Sequence, residues 1–490
     1  MSNRPNILIF MTDQQRADVV MPDHPCRTPN ADRLAADGIR FTQTYTPYAH
    51  CCPSRATFMT GLYPSRHGVY NNVCTRTAIH YGLNEGVTTF SEQLSGVDYR
   101  MVLCGKWHVS IEQSPADCGW EERAVTGVKG NFHSRSVAEW SQGPRGPEDD
   151  GPRKRGHVER PGWGDFVVYG ARPDVGAKAY EELHDYTVVS EAVDALQDLT
   201  QQDDPWCLFV GPIGPHDPFV VPEKYATMYD PADVELPVSY ADTLEDKPRI
   251  YQRHRRQLWD QLSEEEVRES IAHYWGYCTL EDDLLGEVLD ALDESGQADN
   301  TLVIFISDHG EYCGDHGLYL KGVPAFREAY HVPCIMRWPA GIEAPQREVD
   351  DFVTLADFAP TFLELAGLEV PEDLTGNSLL PFLQDRRPAD WTDTFFTQFN
   401  GVELYYTQRS VVTREYKYVY NGFDFDELYD LGQDPHEMVN LADTAEYQEI
   451  KRDLVQRMWR FAAREEDIIF NPYGTVALAP WGPAEGLAQI

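Results

Sequence analysis

Residues 5–13 read PNILIFMTD. The apolar run has no polar face, so it reads as a strand buried on both sides, Asn6 to Met11, that ends at Asp13. The same texture returns in YRMVLCGKWH (99–108), WCLFVGPIGPHDP (206–218), NTLVIFISDHGE (300–311) and HVPCIMRWP (331–339). Helical patterns alternate with these runs. In TPNADRLAADGI (28–39), Thr28 stands as N-cap, Pro29 at the first helical position and Gly38 just past the end. The clearest helix runs from Glu264 to Leu292. It opens on a Ser263/Glu266 capping box and carries Val267, Ile271, Trp275, Cys278, Leu285, Val288 and Leu292 on one face. TLADFAPTFLELAGL (354–368) is a further helix, ending near Gly367. Buried strands alternating with helices predict an α/β fold with a large, mostly parallel sheet covered on both faces.

The strand ends carry the functional message. Asp13-Gln14, Lys106-His108, His216 and Asp308-His309 each follow an apolar run. Ligands of open α/β sheets bind outside the carboxyl ends of the strands, so these residues are predicted to converge on one site.

Beyond about residue 380 the texture changes. DTFFTQF, YYTQRSVVT and YKYVYN alternate like half-buried antiparallel strands, DELYDLGQDPHEMVNLA is rich in turns, and the helix that follows places Ile450, Leu454, Met458 and Phe461 on one face. The expected division is a catalytic α/β domain over 1–378, a smaller C-terminal α+β domain with an antiparallel sheet over 379–470, and a tail or arm over 471–490. Ser141 to Asp165, rich in Gly, Pro and charge, reads as a long surface loop, and Met228 to Leu262 as similarly irregular.

Composition excludes several classes of partner. The net charge of −39 repels nucleic acid and anionic membranes. An anionic substrate therefore requires a local cluster of Lys, Arg and His. The longest apolar runs are too short to span a bilayer, and MSNRPNILIFMTDQQ lacks the pattern of a signal peptide. A cytoplasmic location is expected. Ten cysteines in 490 residues form no disulfide framework. A homo-oligomer is expected, and the tail reads either as an arm packed on a neighbouring subunit or as a docked terminus.

Two of those cysteines are adjacent in HCCPSRATFMTG, His50 to Gly61, just before a helix expected from about Pro53 to Met59. A helix N-terminus favours anions and lowers a thiol's pKa, so a reactive Cys51 is one reading and a buried structural pair another. Cys51-x-Pro53-Ser54-Arg55, followed by Thr60-Gly61, resembles the signature of the sulfatase family in the alkaline phosphatase superfamily. The resemblance covers roughly Pro5 to Ala442. It implies an alkaline phosphatase-like fold, with a large mixed, mostly parallel sheet flanked by helices, and oxidation of Cys51 to formylglycine by a separate maturation enzyme, with Cys52 an ordinary packed thiol. It further implies a sulfatase, arylsulfatase-like, that acts on small sulfate monoesters. One hydroxyl of the hydrated aldehyde attacks sulfur and forms a covalent sulfate ester. The other then loses its proton, the carbon–oxygen bond to sulfate breaks, and the aldehyde reforms.

The same resemblance assigns one divalent cation, Ca²⁺ or Mn²⁺, to Asp13, Gln14, Asp308 and His309, with residue 51 completing the site. It assigns Arg55 to the formylglycine and sulfate oxygens, Lys106 and His108 to the sulfate and leaving group, His216 to the leaving oxygen and Lys321 to the transferred group. Asn72 is a candidate for a sulfate-oxygen contact. His67 and His316 are candidates for a supporting layer, and Glu281 and Asp282 for a buried polar contact. Many sulfatases carry two aspartates where this chain has Asp13-Gln14. That departure resembles the phosphonate monoester hydrolase branch, so a phosphonate monoester or phosphodiester hydrolase is the alternative. Lys106 and His108 favour a sulfatase, because that branch lacks the pair. A non-catalytic metal- or anion-binding protein and a Cys–His hydrolase are the remaining readings.

Overall fold

A computed structural model describes residues 4–75, 77–128, 152–160, 164–172, 183–202, 204–402, 404–422 and 424–487. Its centre is a sheet of β1 (Asn6–Thr12), β2 (Gly38–Phe41), β3 (Arg100–Lys106), β4 (Glu121–Thr126), β5 (Trp206–Gly211), β6 (Thr301–Ser307), β7 (Cys334–Arg337) and β8 (Arg347–Val349), in the order β8-β2-β7-β6-β1-β5-β3-β4. β1 lies between β6 and β5 and runs parallel to both, and β3 continues the parallel run. HVPCIMRWP is the exception: β7 is antiparallel to both β6 and β2, which makes the sheet mixed.

Period-two alternation explains why β1 has no polar face. Leu8 and Phe10 enter one hydrophobic core, Ile7, Ile9 and Met11 the other, and all five are buried. Helices α1 (Pro29–Ala36), α3 (His184–Leu199) and α4 (Glu264–Glu294) cover the first face, while α2 (Cys51–Thr60) and α5 (Phe358–Leu365) cover the second.

The Ser263/Glu266 capping box opens α4 as the sequence predicts. At α1, Thr28 holds the N-cap position and Pro29 the first helical position as predicted, but the Thr28 side chain makes no capping hydrogen bond. Asp282 of α4 takes its place and accepts from Asn30 N at 2.9 Å and Ala31 N at 2.8 Å. Burial raises the Asp282 carboxyl to about 7. Gly38 is the first residue of β2, where an added Cβ would collide with the Met336 carbonyl of β7.

Two loop expectations are also corrected. Most of Ser141–Asp165 lies outside the described residues, but His157–Arg160 pairs antiparallel with Gly164–Val167. Within Met228–Leu262, Arg249–Gln257 is helical, with three basic residues in its last turn where the helix dipole favours them.

The antiparallel sheet, Phe395–Phe399, Gln408–Val412, Tyr416–Asn421 and Glu427–Asp430, includes a fourth strand inside the segment expected as turns. One face packs on α6 (Gln448–Arg464) through Val411, Tyr418 and Leu428 against Leu454, Met458 and Trp459. From the other, Phe399, Val419 and Tyr429 join the first core of the large sheet. The tail contains helices Pro472–Ala477 and Ala484–Leu487, and Trp459 donates to the Trp481 carbonyl at 2.8 Å, so it docks on its own chain. No helix of the described residues is long and apolar enough to cross a membrane.

Candidate active site

The carboxyl ends of β1, β3, β5 and β6 meet the N-terminus of α2, which starts two residues earlier than expected, at Cys51 itself. Cys51 Sγ lies 3.2 Å from His309 Nε2 and 3.6 Å from Asp13 Oδ1. Burial opposes its ionisation, but Lys106 and His309 prevail and hold the thiol well below its usual range. Asp13 is likewise penalised by burial and by Cys51, yet Lys106, His216 and His309 hold its carboxyl far below the ordinary carboxylate range.

One donor atom each from Asp13, Cys51, Asp308 and His309 falls within 4.8 Å of the others, and all four residues are buried. His309 Nε2 is 3.4 Å from Asp13 Oδ1 and 3.7 Å from Asp308 Oδ1. Two buried carboxylates and an imidazole facing one point form a donor set that fits a divalent cation. Gln14 stands beside it with φ 69°, in the left-handed region. Its amide oxygen accepts from Lys321, and its Nε2 donates to Glu311 and, at 3.2 Å, to Asp217 Oδ1.

Cations surround this acidic centre. Arg55, fully buried, donates through Nε to Asp308 Oδ2 at 2.7 Å and through Nη1 to the Lys106 carbonyl at 2.8 Å, leaving Nη2 without a hydrogen-bond partner among the described residues. Lys106 donates to Asp13. Lys321 Nζ lies 2.8 Å from His216 Nε2, whose Nδ1 is 3.3 Å from Asp217. Burial and Lys321 push the His216 imidazole down, but Asp217 and Asp13 outweigh them and raise it to about 9. The structure thus brings Asp13, Gln14, Cys51, Arg55, Lys106, His216, Asp308, His309 and Lys321 together. His108, at φ 53°, adjoins the group with its Nε2 3.2 Å from Cys74 Sγ. Asn72 accepts from the Cys52 amide through Oδ1 at 3.2 Å.

The remaining candidates lie apart from this centre. His67 is buried against Thr57 at 3.1 Å and pushed down to about 3 by burial. His316 pairs with Asp242 at 2.7 Å and stacks on Phe326. Burial raises Glu281 well above the carboxylate range, with Asp185 adding to the effect. Asp185 in turn accepts from Ile213 N at 2.6 Å and Gly214 N at 3.1 Å, on the loop that carries His216. Sequence reasoning missed His50, Asp217 and Glu311. His50 is buried beside His309, and neither ring nitrogen has a hydrogen-bond partner among the described residues. All three adjoin residues already singled out, and adjacency to Cys51, His216 and His309 was the available signal. Cys52 is packed in the second hydrophobic core as expected, and its sulfur also lies within 4.8 Å of Cys74 Sγ and a His108 ring nitrogen.

A mixed α/β sheet with a buried acidic donor set, a helix-start cysteine and a ring of cations defines the class. The profile of the Sulfatase family matches residues 5–368, and that of the N-sulphoglucosamine sulphohydrolase C-terminal region matches 314–464. The chain belongs to the sulfatase family and is a sulfuric ester hydrolase of the alkaline phosphatase superfamily. It is 31% identical over 462 residues to the choline-sulfatase of Rhizobium meliloti, covering 90% of this chain and 83% of that protein. It is 30% identical over 509 residues to the multifunctional alkaline phosphatase superfamily protein PehA of Trinickia caryophylli, covering 94% and 96%. The structure superposes on the phosphonate monoester hydrolase of Agrobacterium radiobacter with a TM-score of 0.75 at 26% identity, covering 94% of this chain and 96% of that one.

Proposed function

We propose that this chain hydrolyses small sulfate monoesters with residue 51, oxidised from cysteine to formylglycine by a maturation enzyme, as its nucleophile. The carrying observation is the placement of Cys51 Sγ at the start of α2, against Asp13 and His309 and among Lys106, Arg55 and His216. Asp13, Gln14, Asp308 and His309 would hold one divalent cation, Ca²⁺ or Mn²⁺. When bound, it supplies the charge that makes an oxygen on residue 51 nucleophilic near neutral pH.

The chain's own side chains supply the rest. Arg55 Nη2, unsatisfied in a fully buried residue, is the donor for a sulfate oxygen. Lys106 and Lys321 neutralise charge developing on the transferred group. His216, whose imidazole Asp217 and Asp13 push up to about 9, gives its proton to the departing ester oxygen. His108 contacts the sulfate from the Cys74 side.

Gln14 supports a second reading, a phosphonate monoester or phosphodiester hydrolase, in keeping with the likeness to the Agrobacterium enzyme. Mass spectrometry of the Cys51 peptide, from a host able to make formylglycine, tests the nucleophile: a loss of about 18 Da is expected. Unmodified Cys51 in protein that still hydrolyses sulfate esters overturns it. Rates on matched sulfate monoester, phosphonate and phosphodiester substrates decide between the two readings, with the sulfate ester expected to be fastest.

A further inference from the structure

Cys52, Cys74 and His108 form a second cluster of donors beside the first. The two sulfurs and one ring nitrogen all lie within 4.8 Å of one another, and Cys74 Sγ is 3.2 Å from His108 Nε2. Tetrahedral zinc, with Zn–S of about 2.3 Å and Zn–N of about 2.0 Å, sets such donors about 3.5–3.8 Å apart. The cluster therefore needs little movement to close on a cation. Cys52 is anchored at the second position of α2, and Cys74, half-buried, lies on the turn after Asn72. The two sites differ in kind. Carboxylates and an imidazole converge at the first, whereas thiols dominate the second, so a hard cation sorts to one and a thiophilic cation to the other.

We propose that Cys52, Cys74 and His108 form a binding site for a thiophilic d¹⁰ cation of the Zn²⁺ type, and that its occupation inhibits the enzyme. Both sulfurs bind as thiolates, with any remaining thiol proton passing to solvent, and a fourth position is left for water. It also ties up the His108 ring, which adjoins both Cys51 and Cys74. The site competes with sulfate for His108. The inhibition rests on the role given to His108 under the proposed function; the binding does not.

The probe is Co²⁺, added to reduced Cys51→Ser protein saturated with Ca²⁺, so that neither the nucleophile thiol nor the hard site contributes. One equivalent should bind with thiolate-to-cobalt charge-transfer absorption. The band should be lost in Cys51→Ser/Cys74→Ser and kept in Cys51→Ser/Cys26→Ser. No such band, or one indifferent to Cys74, overturns the site. Should the corresponding Cys52 variant fail to fold, Cys74 on its half-buried turn supplies the same answer. In matured enzyme, Zn²⁺ should inhibit reversibly, relative to each variant's own uninhibited rate. Cys74→Ala should need at least about tenfold more Zn²⁺ for half-inhibition. Equal inhibition of both enzymes overturns the regulatory claim. Failure of the sulfatase reading would remove turnover and leave the cobalt absorption as the deciding result.

Discussion

Cys51 combines three stabilisers of an anion: a helix start, the His309 imidazole at 3.2 Å and the Lys106 ammonium. On the proposed formylglycine chemistry, serine at this position offers one oxygen in place of a hydrated aldehyde's two. Cys51→Ser is therefore expected to form at most one covalent sulfate ester per protein and then stop, which intact mass after substrate addition reads directly. For His216→Ala, kcat/KM should fall about 10²–10⁴-fold, most steeply for esters with poor leaving groups, if the lost group is the proton donor proposed above. A loss uniform across leaving groups would remove His216 from that role. Arg55 illustrates a different cost. It is a fully buried partner of Asp308, and Arg55→Ala should destabilise the fold by about 3–5 kcal/mol in denaturant titration, since an uncompensated carboxylate remains. Most of the candidate residues were legible because they sit at the end of an apolar run or inside the cysteine motif, whereas Lys321 was reached only through the family resemblance. Asp217 and Glu311 were not, because what distinguishes them is contact with Gln14, which joins segments about two hundred residues or more apart.

Elements are joined by buried carboxylates of α4, which the sequence marks only as breaks in an apolar stripe. Asp282 caps α1, and Glu281 lies against Asp185 beneath the His216 loop. Asp185→Ala orphans the Ile213 and Gly214 amides, at about 1–3 kcal/mol each, and should lower kcat by displacing His216. Glu281→Gln should be nearly silent in both readouts, because burial and the neighbouring Asp185 already favour the neutral form of the native carboxyl. Glu266 gives a pH prediction. Burial opposes its ionisation, but Arg153 and the amides of Ser263 and Gly156 hold its carboxyl at about 2, against 4.5 for the free group. Its contribution to stability is complete above 4.5 and is lost as pH falls toward 2. Glu266→Gln should flatten the acid limb of a Tm–pH curve while leaving the neutral and alkaline limbs parallel to the wild type. An unchanged acid limb would refute the assignment.

For the molecule as a whole, a −39 background surrounds a pocket built on Arg55, Lys106, His216 and Lys321. Long-range repulsion and local attraction oppose each other for an anionic substrate. With a Debye length of about 10 Å at 0.1 M salt, screening acts first on the distant surface charge. kcat/KM should therefore rise with ionic strength, and a fall would show that the pocket steers encounter. Cation binding should also couple to global stability, because β1, β6 and α2 supply the donors together. Ca²⁺ or Mn²⁺ at a hundred times its Kd should add about 2.7 kcal/mol, visible as a higher Tm that chelation reverses. The small sheet is part of this same body: its inward face shares a core with the large sheet, and Tyr48 donates to the Gly401 carbonyl at 3.2 Å, beside the site.

The sequence by itself determined the strand-and-helix alternation, the capping box of α4, the antiparallel character of the C-terminal strands and the residues that carry the family's signature. These are signals of short range, written in periodicity and adjacency. Tertiary structure alone decided that β7 is the strand that runs reversed, the capping of the α1 amides by the Asp282 side chain, the docking of the tail on α6, and the meeting of Cys52 with Cys74 and His108. Each of these depends on which distant segments the two hydrophobic cores press together. Local pattern carries no record of that choice, because an apolar strand satisfies its own burial equally well in either direction and beside many neighbours.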